Sequence, residues 1–133
     1  MDFLTALHVS ASGLAAERTR VNITATNLAN AESTRGPDGK PYRRRDPIFE
    51  TQTFEGELQG VRVAGVQEDQ GPGKRVYSPG HPDADANGFV TFPDVNPIHE
   101  VVNLMQAQKS YDANATAVDT LKGMAARALE IAR

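Results

Sequence analysis

Side chains able to do chemistry are few in this sequence, and they are scattered. His8, His81 and His99 are its three histidines. His81 stands close to Asp83 and Asp85, as a metal ligand would, but Gly80 and Pro82 place it in a turn, and no HExxH, GxSxG, Walker-type loop or GxGxxG is present. The chain has no cysteine, which excludes disulfides, thiolate metal sites and cysteine nucleophiles. The sharpest metal motif is Asp83-Ala-Asp85-Ala-Asn87-Gly88, which matches the opening of a D-x-D-x-[DN]-G calcium loop. Such a loop needs oxygen ligands at its alternate positions, the glycine for its turn, and a bidentate Glu at the end. Asp94 stands where that Glu belongs, directly after Pro93, and the flanks read as Pro82 and a strand rather than helices. Asp, Asn and Gly are also what an ordinary tight turn uses, and that is the reading adopted. Arg43, Arg44 and Arg45 form the one dense basic cluster and read as a solvated loop. With a formal net charge of −3, duplex nucleic-acid binding is disfavoured. The expectation is no catalytic residue, no cofactor, no metal, no nucleic acid and no small-molecule substrate.

What the sequence does carry is periodicity. Leu7, Leu14, Val21 and Leu28 recur by sevens, with Leu4, Ala11 and Ala25 between them, forming one narrow apolar seam on a helix. Arg18 interrupts that seam. Around it lie Thr5, Ser10, Ser12, Thr19, Asn22, Thr24, Thr26, Asn27 and Asn30, mediocre helix formers whose side chains compete for backbone hydrogen bonds. The helix is expected to begin near Asp2 or Phe3 and to fade between Asn30 and Thr34. Its weak propensity predicts that it needs packing partners. A second long helix is expected from Asn96 or Pro97, with Asn96 as N-cap, Pro97 at the first helical position and His99-Glu100 in a dipole-compatible first turn. Leu104, Tyr111, Val118 and Ala125 recur by sevens there, joined by Ala107, Leu121 and Ala128.

Between the helices, Arg35 to Tyr42 is dense in turn formers. Tyr42 to Phe54 has apolar anchors at Ile48, Phe49 and Phe54, with Pro47 limiting a regular strand. Gly56 and Gly60 bracket a short link. Val61, Val63 and Val66 give the clearest strand signal, and Arg75-Val76-Tyr77 is expected to return against it as a hairpin across the turn Asp69–Lys74. Loops follow, then a short extended piece Gly88–Phe92 closed by Pro93 and Pro97. The fold class is therefore α+β. Residues 1–34 and 96–133 form a discontinuous, coiled-coil-like helical pair, and residues 35–95 a small irregular β-rich insert with a hairpin and a turn-rich loop.

At 133 residues, 39% hydrophobic and 6% aromatic without Trp, the chain has material for one modest, mostly aliphatic core. Two narrow Ala-rich seams bury little. At about 25 cal/mol per Å² against more than about 1 kcal/mol of entropy per ordered residue, such a pair comes out near zero alone. Termini loose in the free chain and helical on assembly are expected. The N-terminus lacks the basic and apolar regions of a cleavable signal, and no stretch reaches a membrane span. The narrow, weakly basic face of the first helix suits partner helices better than a membrane surface.

Two segments resemble the signatures of the bacterial flagellar axial proteins of the basal-body rod and hook. Ser10 to Ala31 carries a small-residue Ser12-Gly13-Leu14 followed by Asn22…Asn27-Leu28-Ala29-Asn30, and Tyr111 to Met124 is similar to the family's C-terminal signature. Val76 to Val90, with Pro93-Asp94-Val95-Asn96-Pro97, resembles the insert of the proximal-rod member, which also has about this length. The family often ends the first signature in Asn-Thr, where this chain has Ala31-Glu32-Ser33. The resemblance implies a structural, non-enzymatic subunit of the proximal rod that assembles with its own copies and other rod proteins into a hollow shaft. That shaft transmits torque and serves as the export channel. The resemblance further implies export through the flagellar type III apparatus without signal cleavage, and residence in the periplasmic part of the basal body. Another rod or hook subunit, or a helix-pairing or calcium-dependent adaptor, is the alternative. The assembly interface is expected at Leu7, Ala11, Leu14, Val21, Asn22, Asn27, Leu28, Asn30, Leu104, Tyr111, Val118, Leu121 and Ala125. The family implies inter-helix hydrogen bonds between neighbouring subunits for Asn22, Asn27 and Asn30. Phe3 and Leu7 resemble its export-gate motif.

Overall fold

Leucine and valine at heptad spacing with small residues between them give a long helix, α1, over Phe3–Ala29, and the same pattern gives α2 over Pro97–Ile131. The computed structural model describes residues 3–54 and 59–133. Asp2 and Gly56, which figure in the expected helix start and link, lie outside the described residues. α2 begins as its sequence dictates: the Asn96 side chain accepts hydrogen bonds from the Ile98 and His99 amides, and Pro97 occupies the first turn. Several of the poor helix formers are accommodated inside their own helices. Thr19, Thr26, Thr116 and Thr120 each donate a hydroxyl to the carbonyl four residues back, which meets the polar demand of those threonines locally. α1 ends where Asn30 donates to the Thr26 carbonyl and accepts from the Ser33 hydroxyl.

The two helices run antiparallel. A Cβ built on Gly13 would meet the Asn114 side chain at 2.9 Å, and Asn27 bonds Glu100. By that register the last turns of α2, carrying Leu129 and Ile131, run past Phe3 at the start of α1.

The insert is two separate antiparallel ribbons. β1 (Arg45–Thr53) pairs with β2 (Gln59–Glu68), and β3 (Lys74–Tyr77) pairs with β4 (Phe89–Phe92). This differs from the expected pairing of Val61–Val66 with Arg75–Tyr77. The physical reason is length and cross-strand fit. β1 matches β2 along its whole length, setting Phe49 opposite Val63 and Arg62 opposite Glu50, whereas β3 has only four residues to offer. At the turn before β3, Gly73 takes φ +79 against the Phe92 carbonyl. That conformation is cheap for glycine alone, and it carries β3 towards β4. Pro47 does not interrupt β1. In a two-stranded ribbon each strand has a free edge where a missing N–H costs no ladder bond, and a bulge between Ile48 and Phe49 restores the alternation.

Buried apolar side chains are few among the described residues: Ala16, Val90, Val95 and Ala107. They are joined by Thr24, Asn27 and Glu100. On α1 the deepest positions are thus Ala16, Thr24 and Asn27, while the seam residues Leu7, Leu14, Val21 and Leu28 are half-buried beside them. Where α1 meets both α2 and the β1–β2 ribbon, the deepest groove belongs to the small and polar residues.

Candidate functional site: a buried polar hub and open helix faces

The centre of the molecule is a hydrogen-bonded cluster at the junction of α1, β1 and α2. Asn27, 1% exposed, uses every valence of its amide. Its nitrogen donates to the Arg45 carbonyl at 2.7 Å and to Glu100 Oε2 at 3.2 Å. Its oxygen accepts from the Tyr42 hydroxyl at 2.8 Å and from the Arg45 amide at 2.9 Å. Two donors and two acceptor lone pairs are all a primary amide has. Asn27 acts here within one subunit. Asn30 serves the end of its own helix, and Asn22 is exposed.

Glu100, also 1% exposed, is held on its other oxygen by Arg44 Nε at 2.6 Å. A buried carboxylate costs several kcal/mol unless paired and hydrogen-bonded, and here both oxygens are occupied. Burial works against the Arg44 charge, but its hydrogen bonds to Glu100 and Asp46 outweigh this, and its pKa rises. Burial likewise raises the Tyr42 hydroxyl above the usual phenol range, partly countered by the Arg45 guanidinium.

Arg44 is therefore no solvated loop residue. Arg45 pairs with Glu68 and Arg43 donates to the Asp69 carbonyl, both within the insert, so of the three side chains it is Arg44 that ties the insert to α2. Sequence reasoning missed Glu100 as a hub. Its signal was phase: Glu100 and Asn114 fall in the same seven-residue series as Ala107 and Leu121, placing a charge on the seam.

The calcium-like stretch is engaged otherwise. Asp83 accepts from the Thr34 hydroxyl at 2.7 Å and pairs with Arg35. Asp85 accepts from the Asn87 and Phe89 amides and from Arg75. The amide bond from Phe89 leads the causes that lower the Asp85 pKa, with the Asn87 amide and Arg75 acting in the same sense. The two carboxylates thus tie down different segments and hold the β3–β4 loop closed. Among the described residues no three metal-ligating side chains converge.

The remaining positions expected at the assembly interface are spread along the helices. Leu104, Val118, Leu121 and Ala125 are half-buried, and Tyr111 and Ala11 are exposed. Phe3 is exposed one turn before Leu7. A further apolar stripe was not anticipated: Ile98, Val101, Val102 and Met105 are exposed on one face at i, i+3, i+4 and i+7, with Ile98 74% accessible. Its signal, four apolar residues at helical spacing outside the heptad series, was present in the sequence. No helix among the described residues is long and apolar enough to cross a membrane.

A helix pair with so much apolar surface left open, fastened to its insert by a buried polar hub, defines an assembly subunit of the axial-protein class. The chain belongs to the FlgC family of flagellar basal-body rod proteins. The family model described as "Flagella basal body rod protein" matches residues 7–37, and "Flagellar basal body rod FlgEFG protein C-terminal" matches residues 86–131. The chain is 45% identical to the flagellar basal-body rod protein FlgC of Salmonella typhimurium over 132 residues, covering 98% of each. It is 43% identical to FlgC of Escherichia coli O157:H7, again over 98% of each. Over 96% of each chain it is 38% identical to FlgC of Bacillus subtilis. The chain is a structural subunit of the flagellar basal-body rod.

Proposed function

We propose that the chain is a non-enzymatic subunit of the proximal, periplasmic rod, packing with its own copies and other rod proteins into a hollow shaft that transmits torque and passes exported protein. Residues 1–34 and 96–133 are its axial core and residues 35–95 its insert. The observation that carries this is the exposed apolar surface of the terminal helices, Ile98 to Met105 on one face and Leu129 and Ile131 at the end. In a lone chain that surface is a liability; among neighbouring helices it is the adhesive. Stacking through two different faces generates an open filament rather than a closed ring. The small apolar core suits a chain that passes unfolded through the flagellar type III apparatus without signal cleavage and orders on assembly, with Phe3 and Leu7 read by the export gate beforehand.

The test is complementation of a strain lacking its own FlgC. The chain should restore motility and appear in isolated basal bodies. Leu14→Asp and Leu121→Asp should be expressed yet absent from basal bodies, and normal motility in either variant would refute the reading of the helix seam.

A further inference from the structure

The β1–β2 ribbon does not seal against the helices. Between them lies a groove of about 440 Å³, lined by Val9, Ala16, Phe49 and Val61 with Glu17 and Asn114. Glu17 is the odd member. Its side chain is only 16% exposed, and its nearest cation, Arg20 Nη1, stands at 3.6 Å, outside hydrogen-bond distance. Glu17 Oε2 is buried and accepts no hydrogen bond. A buried carboxylate oxygen without a donor is costly, so the groove is incomplete as it stands. It wants an apolar body bearing a cation.

The chain itself carries such a body at its far end. Met124, Arg127 and Ile131 stand at i, i+3 and i+7 and so share one face of α2. Met124 and Ile131 are 60% and 86% exposed, and Arg127 makes no ion pair among the described residues. The antiparallel register puts the last turns of α2 beyond the start of α1 while the groove opens beside Ser12 and Gly13, so face and groove lie at separate places on the molecule. We propose that the groove between α1 and the β1–β2 ribbon receives the Met124–Arg127–Ile131 face of a second copy, with the Arg127 guanidinium donating to Glu17 Oε2. The two surfaces are different, so the contact is heterologous and repeats without closing. This rests on the rod-subunit reading and names one contact within it.

The experiment uses assembled basal bodies containing Thr51→Cys, a groove position in a chain otherwise free of cysteine, labelled with a benzophenone maleimide and irradiated. The expected product has the mass of two copies of this chain, joined from position 51 to the peptide 124–133. Glu17→Arg or Arg127→Glu alone should lower its yield about tenfold, as loss of a desolvated charge pair does. One chain carrying both exchanges should recover it, which a merely misfolded variant would not. A product joined to a different protein, no dimer in rods that contain the labelled chain, or a double exchange no better than the singles would each overturn the docking. Failure of the unsubstituted chain to enter basal bodies would instead refute the rod reading, and the docking with it.

Discussion

Asn27 shows what a single amide can decide. All four of its hydrogen bonds cross between elements, so Asn27→Ala leaves the Arg45 amide, the Tyr42 hydroxyl and Glu100 short of partners at once. Each buried group left unmade costs about 1–3 kcal/mol, and the variant is expected to leave isolated basal bodies at a lower urea concentration than the parent. Glu100→Ala removes the acceptor of both Arg44 Nε and the Asn27 amide and leaves Arg44 to Asp46 alone, which should cost about 1–3 kcal/mol; Glu100→Gln should cost less, because it keeps the donor from Asn27 supplied with an acceptor. A variant Asn27→Ala as stable as the parent would show the hub to be dispensable. Asp85 makes the pH prediction. Its carboxyl is held below the ordinary range, so its contribution to the loop is fully present above the unfolded carboxylate pKa and is lost as pH falls through the folded value. The observable is amide hydrogen exchange at Asn87 and Phe89. Protection there should fall in acid after correction for intrinsic exchange, and protection unchanged in acid would remove Asp85 as the anchor.

The helices fit each other through their smallest residues. Gly13 faces Asn114 so closely that an added Cβ would force the Asn114 side chain to move. Gly13→Leu should therefore push α1 from α2 at mid-length and cost about 1–3 kcal/mol through overpacking. Gly13→Ala should cost less, because the contact is with a mobile side chain, and equal thermal midpoints for basal bodies assembled from the parent and from the leucine variant would show that the helices are not in contact there. On α1, Ser12 donates to the Val9 carbonyl of its own helix and ties helix to ribbon by accepting from the Val61 amide. This explains why a serine stands in the middle of a helix that propensity alone would not favour.

At the scale of the whole molecule, the small buried apolar core argues that order is completed by neighbours. A purified chain is expected to show less helicity by circular dichroism than its two long helices require, and to gain it on incorporation. A fully helical, cooperatively melting free chain would refute conditional ordering. The legible part was large. Heptads at Leu7–Leu28 and Leu104–Ala125 announced two helices, Asn96-Pro97 announced where the second begins, and the two signatures announced the family. These are local or periodic features, readable because helix geometry depends on near neighbours. What stayed hidden was pairing at long range. Val61–Val66 was expected to pair with Arg75–Tyr77, and the extended match with β1 took it instead. Arg44 looked solvated until Glu100 and Asn27 were brought to it from positions 56 and 17 residues away along the chain. The sequence by itself determined the two helices, the N-cap of the second and the kind of assembly. Tertiary structure decided which strand meets which and which partners the buried polar residues take, because each depends on contacts between segments distant in sequence.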